Sequence, residues 1–386
     1  MFIVTNRELI PEAEGTAKFG PRPNAEGANN LRVAEVTKAG RGWAITLLPD
    51  VIGDGLRDEL TSKFKGGAGL EPDQTLYASH YAAAKMLDRA RRLKKNLLFF
   101  VHGFNNDIDV ILQRAHDLEQ TYGVLVVCFS WPARGGGARG LLSYRQDKRD
   151  AKASVCAFER FLISASGHID RLKGQAKLDC MRRAAAKHPE NHEARDMLFE
   201  ELMAKACPVR LTLMLHSMGN YLLKQTLRSS TSDEIGSLFD NVVLVAADTN
   251  NAGHAEWVDR IRAREGILIV INENDRALRA SEVKVGEAQR GRLGRLRRRL
   301  DSQLALYVDV TEAPQVGKGH AYFEGKPVAS KTAVLRRFFT SVFNGKRGEE
   351  ALDQDPTLGI MRIAGPKAKP RPSPPRGRRV GGRPRT

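Results

Sequence analysis

A serine lies where a buried strand is predicted to turn into a helix. The segment Leu213-Met-Leu-His-Ser-Met-Gly-Asn contains Ser217 between an apolar run and a helical pattern. A serine exposed on such a turn becomes a nucleophile when a neighbouring base takes its proton. The usual motif has a glycine two positions on either side of the serine; Gly219 fits it, while Leu215 departs from it. The alternative is that Ser217 only caps the helix.

A serine nucleophile needs a base, and His254 and His320 are the histidines that follow Ser217. His320 lies in Gly317-Lys-Gly-His-Ala-Tyr-Phe, between the last long predicted strand and the final predicted helix. This position fits the chain order of nucleophile, acid and base. We therefore favour His320 over His254, although a histidine in a loop is often only solvated.

The orienting acid has more than one candidate. Asp275 and Asp248 each follow the carboxyl end of a predicted strand, where catalytic groups gather in parallel sheets. Asp275 is preferred because it lies after the later strand, with Glu273 as a weaker candidate. Each aspartate could instead be an ordinary turn or cap residue.

Two backbone amides are candidates for binding an oxyanion. His102-Gly-Phe-Asn follows the apolar run Leu97–Val101, and Gly103 allows the chain to approach the nucleophile closely. The expected donors are the amides of Phe104 and of Met218, the residue after the serine. His102 and His216 complete the two motifs. The alternative is a turn glycine beside an incidental histidine.

The elements that would hold these residues alternate along the chain. A mostly parallel central sheet with helices on both faces is therefore expected, since continuous apolar strands are typical of buried parallel sheets. Residues 15–30 are predicted to form a loop. The predicted strands are residues 2–5, 31–37, 43–49, 97–101, 124–129, 209–215, 241–246, 266–271 and 304–310, and the main predicted helices are 75–95, 106–122, 147–166, 219–229 and 328–343.

Two segments stand apart from this alternation. Residues 167–206 are charged and helical in pattern, and they are expected to form a helical cap inserted into a domain spanning residues 1–345. Residues 346–386 are expected to be a linker followed by a disordered tail. From residue 364 onward the chain is rich in Pro, Gly and Arg and contains no acid, so it cannot bury a core.

The composition is strongly basic, with a net charge of +17. Much of the charge lies in the tail and in Arg290-Gly-Arg-Leu-Gly-Arg-Leu-Arg-Arg-Arg. Arg292–Arg299 and the tail could make a weak, non-specific contact with an anionic surface, and the leucine spacing also allows an amphipathic helix lying on a membrane. No motif for specific nucleic-acid binding accompanies them. A solvated charged face is the alternative.

Other features narrow the class of protein. The four cysteines show no C-x-x-C spacing, so neither a zinc site nor a disulfide framework is expected, and no other cofactor is expected. The N-terminus does not resemble a secretory signal, and no run of apolar residues approaches a membrane span. A cytoplasmic protein is the expectation.

The motifs together resemble a family of bacterial α/β-hydrolases of unknown function, distantly similar to lipases and esterases. The resemblance covers about residues 1–12 and 96–345. It rests on Thr5-Asn-Arg, Phe100-Val-His-Gly-Phe-Asn, Phe129-Ser-Trp-Pro with Tyr144 and Asp147, Leu215-His-Ser-Met-Gly-Asn, Asn274-Asp-Arg-Ala-Leu and Gly319-His-Ala-Tyr-Phe. It implies the α/β-hydrolase fold and a triad of Ser217, Asp275 and His320. Leu215 is a departure, because the family has a small residue there. Tyr144 and Asp147 could line a pocket or brace the Trp131 loop, and bracing is favoured.

The expected activity is that of a serine esterase, cleaving carboxylic esters, including lipid-like ones, through an acyl-enzyme. The sequence leaves amide and peptide substrates open. The competing hypothesis is an inactive hydrolase-fold scaffold that binds an anionic partner, such as a membrane or nucleic acid, through its basic segments.

Overall fold

The computed structural model describes residues 1–64, 70, 73–135, 143–206, 208–230, 237–282, 291–355 and 359–363. The predicted basic tail and Arg290 lie outside this part of the chain. Strands are β1 Phe2–Thr5, β2 Arg7–Leu9, β3 Phe19–Pro23, β4 Arg32–Ala39, β5 Gly42–Leu47, β6 Leu97–Val101, β7 Leu125–Ser130, β8 Leu211–His216, β9 Asn241–Val245, β10 Gly266–Ile271, β11 Ala305–Asp309, β12 Asp353–Asp355 and β13 Ile360–Arg362.

The helices alternate with the strands through most of the chain. They are α1 Asp54–Lys63, α2 Ala78–Leu93, α3 Ile108–Tyr122, α4 Tyr144–Ala153, α5 Val155–Lys187, α6 His192–Ala206, α7 Gly219–Ser229, α8 Ala255–Val258, α9 Arg276–Glu282, α10 Lys326–Ala329 and α11 Val334–Phe343, with short 3-10 helices at Gly15–Lys18 and Glu349–Ala351. None of these helices combines the length and hydropathy that crossing a membrane requires.

Within the described residues, eleven strands form one sheet in the order β12-β13-β11-β10-β9-β8-β6-β7-β1-β4-β5. The pairs from β13 to β1 are parallel, and antiparallel pairs lie at the two edges. This confirms the predicted fold class. From β6 the chain continues to β7 on one side, while β8 pairs on the other, so the loops after β6 and β8 meet at a topological switch point.

Two hydrophobic cores cover the two faces of the sheet. In β6, Leu97, Phe99 and Val101 point into one core, and Leu98 and Phe100 point into the other. The first core includes side chains of α2, α5 and α7, and the second includes α3 and α11. Because both faces are covered, β6, β7, β8 and β9 are buried at every position and consist mainly of apolar residues, as the sequence predicted.

Three local predictions were wrong. Residues 15–30 are not only a loop, because β3 pairs with β2 and Phe19 is buried. The helix predicted at 147–166 is divided at Ser154 into α4 and α5. The folded region also continues past residue 345: β13 extends the sheet beside β11, with Ile360 and Ile363 buried. The first and third errors have one cause: β2, β3, β12 and β13 contain only three to five residues each, too few to show the alternation of a strand in the sequence.

Residues 167–206 are helical, as predicted, except at 188–191, but they do not begin a new element. They comprise the second part of α5 and all of α6, which pack on each other. Their assignment as a cap stays a prediction.

Candidate active site

Ser217 lies between β8 and α7 in a left-handed backbone conformation. Its φ is +53°, which costs a residue with a Cβ roughly 1–2 kcal/mol. The turn is held by hydrogen bonds from the Ser217 amide to the Val245 carbonyl (3.0 Å) and from Asn220 Nδ2 to the carbonyls of Leu215 and Ser217 (3.1 Å each). A strained serine fixed by its surroundings is what a nucleophile at a sharp turn requires.

The two glycine positions of the serine motif differ in what surrounds them. A Cβ on Gly219 would lie 2.9 Å from the His102 carbonyl oxygen and 3.0 Å from that of Val101, so α7 approaches β6 too closely for any side chain there. Leu215, in contrast, points its side chain into the core beside α2, α5 and α7. The departure from the usual motif is therefore accommodated by packing.

The loop after β6 lies against the serine. A Cβ on Gly103 would lie 2.8 Å from Ser217 Cβ, so glycine is required for this approach. Asn106 Nδ2 donates to the carbonyls of Gly103 (3.0 Å) and Phe104 (2.8 Å). Since the peptide is planar and trans, the Phe104 N–H points opposite to the Gly103 carbonyl and away from Asn106. Met218 is the N-cap of α7, so its amide lies at the positive end of that helix.

His320 and Asp275 form a direct pair. His320 Nδ1 lies 2.7 Å from Asp275 Oδ2, and Asp275 is fully buried. The other carboxylate oxygen, Oδ1, accepts the Leu278 amide at 2.9 Å, which fixes the carboxylate at the start of α9. With the Nδ1 proton held by Asp275, Nε2 is the nitrogen that can accept a proton.

The His320 loop is held by a residue that the sequence analysis did not select. Asn272 Nδ2 donates to the carbonyls of Gly317 (3.1 Å) and Gly319 (2.8 Å). Asn272 follows β10 directly, so it ties the His320 loop to the same sheet edge that carries Asp275. The only sequence signal was its place at the end of a buried strand.

His216 contacts the same loop. Its Nε2 donates to the His320 carbonyl at 3.3 Å, and the two rings lie 4.7 Å apart between centroids. Burial, with a smaller contribution from His320, holds the pKa of His216 well below its ordinary value. His216 is therefore neutral near pH 7 and packs against the His320 loop.

His102 supports the loop after β6. Its ring stacks on Trp131 at a centroid distance of 5.0 Å, and its Nδ1 donates to the Gly103 carbonyl at 2.7 Å. Burial lowers the pKa of His102 to about 3, so this ring is also neutral near pH 7.

The structure does not bring Asp248 to His320. Asp248 Oδ1 instead pairs with Arg292 Nε at 3.0 Å and accepts from Ser281 Oγ at 2.8 Å, while Oδ2 accepts from Tyr144 OH at 2.9 Å. His254, the other candidate base, is buried against Tyr307 OH. Asp275 and His320 are therefore the acid and base candidates that lie together.

A cavity of about 220 Å³ opens beside Ser217. Asp248 and Tyr144 line it, together with Arg114, whose guanidinium pairs with Glu324. The remaining lining residues are Phe104, Asn105, Asn106, His216, Ser217, Ala277, Leu278, Ser281, His320 and Ala321. None of the described residues that line it comes from 167–206.

The Thr5-Asn-Arg motif braces this edge of the sheet. The buried Arg7 side chain donates to Ser130 Oγ (2.9 Å) and to the carbonyls of Ala133 and Asn106 (3.1 Å each). Burial lowers the pKa of Arg7 to about 10. Arg7 thereby ties the loop after β6 to the loop after β7.

Of Tyr144 and Asp147, one lines the pocket and the other braces the neighbouring loops. Asp147 braces the loops, since its carboxylate accepts the amides of Asn105 and Arg134 at 3.2 Å each. Tyr144 lines the cavity and packs edge-on against Phe104.

The basic run after α9 is not the amphipathic helix that the leucine spacing allowed. Residues 291–300 form turns and one β-bridge, and Leu293 is buried. Arg292 is paired with Asp248, and Arg295 with Glu282 at 2.8 Å. Arg297 pairs with Glu273 and Asp309. Three of the five described arginines of this run are therefore paired with carboxylates within the fold, and these partners are distant in the sequence.

No cluster of His, Cys, Asp and Glu side chains within the described ranges could hold a metal ion. The site so far consists of a serine on a strained strand-to-helix turn, an aspartate–histidine pair and a glycine loop at one sheet edge. These features, on a mostly parallel sheet, define the class of α/β-hydrolases.

Comparison with protein families gives the same class. Residues 79–173 and 187–337 match the family model described as alpha/beta hydrolase of unknown function (DUF900). The chain belongs to this family, as the motifs had suggested. Searches of the curated proteins and of the solved structures each gave no match.

Proposed function

We propose that the protein is a serine hydrolase that cleaves carboxylic esters with short acyl groups. The observation that carries the proposal is the 2.7 Å contact between His320 Nδ1 and Asp275 Oδ2, since His320 lines the same cavity as the strained Ser217. A buried carboxylate that fixes the histidine tautomer leaves Nε2 to act on a serine hydroxyl.

In the proposed reaction, Ser217 Oγ attacks the ester carbonyl and its proton passes to His320 Nε2. The amides of Phe104 and Met218 stabilise the oxyanion. The carbon–oxygen bond to the alcohol then breaks, and His320 gives its proton to the leaving alcohol. Water, activated by the same histidine, attacks the acyl-enzyme and releases the carboxylic acid.

The size and lining of the cavity favour a short acyl group over a lipid-like one. Its volume is about 220 Å³, and the Asp248–Arg292 ion pair and Tyr144 OH form part of its surroundings. A long hydrocarbon chain would exceed this volume, and the polar groups in the wall offer it less favourable contacts than an apolar lining would.

The first test is labelling with a fluorophosphonate probe. We expect labelling of the wild type, loss of labelling in Ser217→Ala, and unchanged labelling in Ser229→Ala, a matched control at the exposed end of α7. Labelling that persists in Ser217→Ala would contradict the assignment. Absence of labelling in folded wild type would favour the inactive scaffold.

The second test compares p-nitrophenyl esters of increasing acyl length. We expect kcat/KM to fall at least about tenfold from butyrate to octanoate, since misfit of even one methylene costs roughly 1–3 kcal/mol. An enzyme that prefers octanoate would refute the short-chain specificity but not the serine mechanism.

A further inference from the structure

A second and larger cavity lies away from the candidate active site. Its volume is about 530 Å³, and none of the residues that line it lines the cavity beside Ser217. It lies between α2 and α5 on one side and strands β1, β4, β6 and β7 on the other. Protein interiors rarely contain voids much larger than a water molecule, whereas ligand sites commonly occupy roughly 300–1,000 Å³.

The inner wall of this cavity is apolar. Phe2 and Val4 from β1, Phe99 from β6, Val127 from β7 and Phe161 from α5 face it. Cavities with such walls stay dry and bind apolar molecules. Tyr77, which is 49% exposed, also lines the cavity, and it is bridged to Val51, which is 54% exposed.

A small polar cluster interrupts the apolar lining. His168 Nε2 lies 2.9 Å from Ser79 Oγ, and the His80 and His168 rings are 4.2 Å apart between centroids. Burial lowers the pKa of both histidines, that of His168 to about 4, so both rings are neutral near pH 7. They can accept or donate hydrogen bonds but supply no positive charge.

Two arginines lie at the rim. Arg32 is committed to Glu26 at 2.6 Å and Asp50 at 3.3 Å. Arg160 is exposed, and its side chain donates to the Asn29 carbonyl at 3.5 Å. In the described part of the chain Arg160 makes no ion pair, so its charge is available to an anionic group at the entrance.

We propose that this cavity binds one fatty acid, with its hydrocarbon chain against the sheet and its carboxylate beside Arg160. The apolar volume accommodates the chain, and Arg160, which makes no ion pair among the described residues, matches a single anionic head group. The site is independent of the proposed hydrolase reaction.

The test is a titration with cis-parinaric acid, whose fluorescence rises in apolar surroundings. We expect saturable binding to the wild type. Ala165→Phe and Ala83→Phe fill the cavity from α5 and α2 respectively, and each should weaken binding at least about tenfold. Ala185→Phe, an exposed position on α5, is the matched control and should bind as the wild type does. Circular dichroism checks folding, and either filling variant suffices if the other does not fold.

Two further variants test where the ligand and its head group bind. Ser217→Ala should bind the probe unchanged, because the two cavities are separate. Arg160→Ala should weaken binding of the acid about threefold, as expected for an exposed ion pair, without affecting the corresponding alcohol. Absence of saturable binding, or equal affinity in the wild type and a folded filling variant, would overturn the proposal. Equal loss for acid and alcohol would overturn the assignment of the carboxylate to Arg160.

Discussion

Replacing Gly103 by alanine tests whether close contact between the loop after β6 and the serine turn sets the reaction geometry. The added Cβ would lie 2.8 Å from Ser217 Cβ, 3.3 Å from the His216 carbonyl oxygen and 3.4 Å from His216 Nδ1. Non-bonded carbons prefer about 3.5–4.0 Å, so the loop and the turn must separate by roughly 0.7 Å or more. The turn has little freedom to move, because the Asn220 side chain holds it.

A misplacement of about 1 Å can cost roughly 10²-fold in rate, and overpacking about 1–3 kcal/mol in stability. We therefore expect Gly103→Ala to lower kcat/KM for p-nitrophenyl acetate about 10–100-fold and to slow fluorophosphonate labelling similarly. The matched control is Gly167→Ala within α5, where a Cβ meets nothing within 4 Å. It should leave the rate unchanged and stabilise the fold by roughly 0.5–1 kcal/mol. A folded Gly103→Ala variant within threefold of the wild-type rate would refute the reasoning.

Four further predictions concern residues around the site. Asp275→Asn should lower kcat about 10⁴-fold with little change in the melting temperature, because the His320 tautomer is no longer fixed; a loss below tenfold would count against this role. Asp248→Asn should instead lower the free energy of unfolding by ~3–5 kcal/mol, measured by urea denaturation, because the buried Arg292 loses its partner. Asn272→Ala should lower kcat roughly tenfold with KM retained, since two hydrogen bonds of about 1 kcal/mol each hold the His320 loop; an altered KM alone would contradict this. Burial lowers the pKa of His102 to about 3 from an ordinary 6.5, so the unfolded chain binds a proton at this residue more readily than the folded protein does. The stability is therefore intact above pH 6.5 and is lost as the pH falls toward 3. His102→Phe should make the melting temperature fall less steeply between pH 7 and 5.

The basic segments remain a separate question. Arg298 and Arg299 are exposed, whereas Arg292, Arg295 and Arg297 are paired within the fold. Weak contact with an anionic surface, through these two exposed arginines or the tail, stays a prediction. Sedimentation with vesicles containing anionic lipid, with and without residues 364–386, would test it.

The fold was largely predictable because its signals are local. Buried parallel strands are continuous apolar runs, and the β6, β8 and β10 segments were recognised within a residue or two. Ser217 and Asp275 follow from the same signals, because polar residues that follow such strands gather at one sheet edge, while His320 was selected by the chain order of nucleophile, acid and base.

The tertiary structure decided what depends on contacts between distant residues. The sequence favours Asp275 over Asp248 only by its place after the later strand, whereas the structure pairs Asp248 with Arg292 and Asp275 with His320. The sequence likewise did not predict the hydrogen bonds from Asn272 to the His320 loop, or the apolar cavity between α2, α5 and the sheet. Periodicity reports which face of an element is buried, whereas hydrogen-bond partners and cavity shapes arise when elements far apart in the chain pack together.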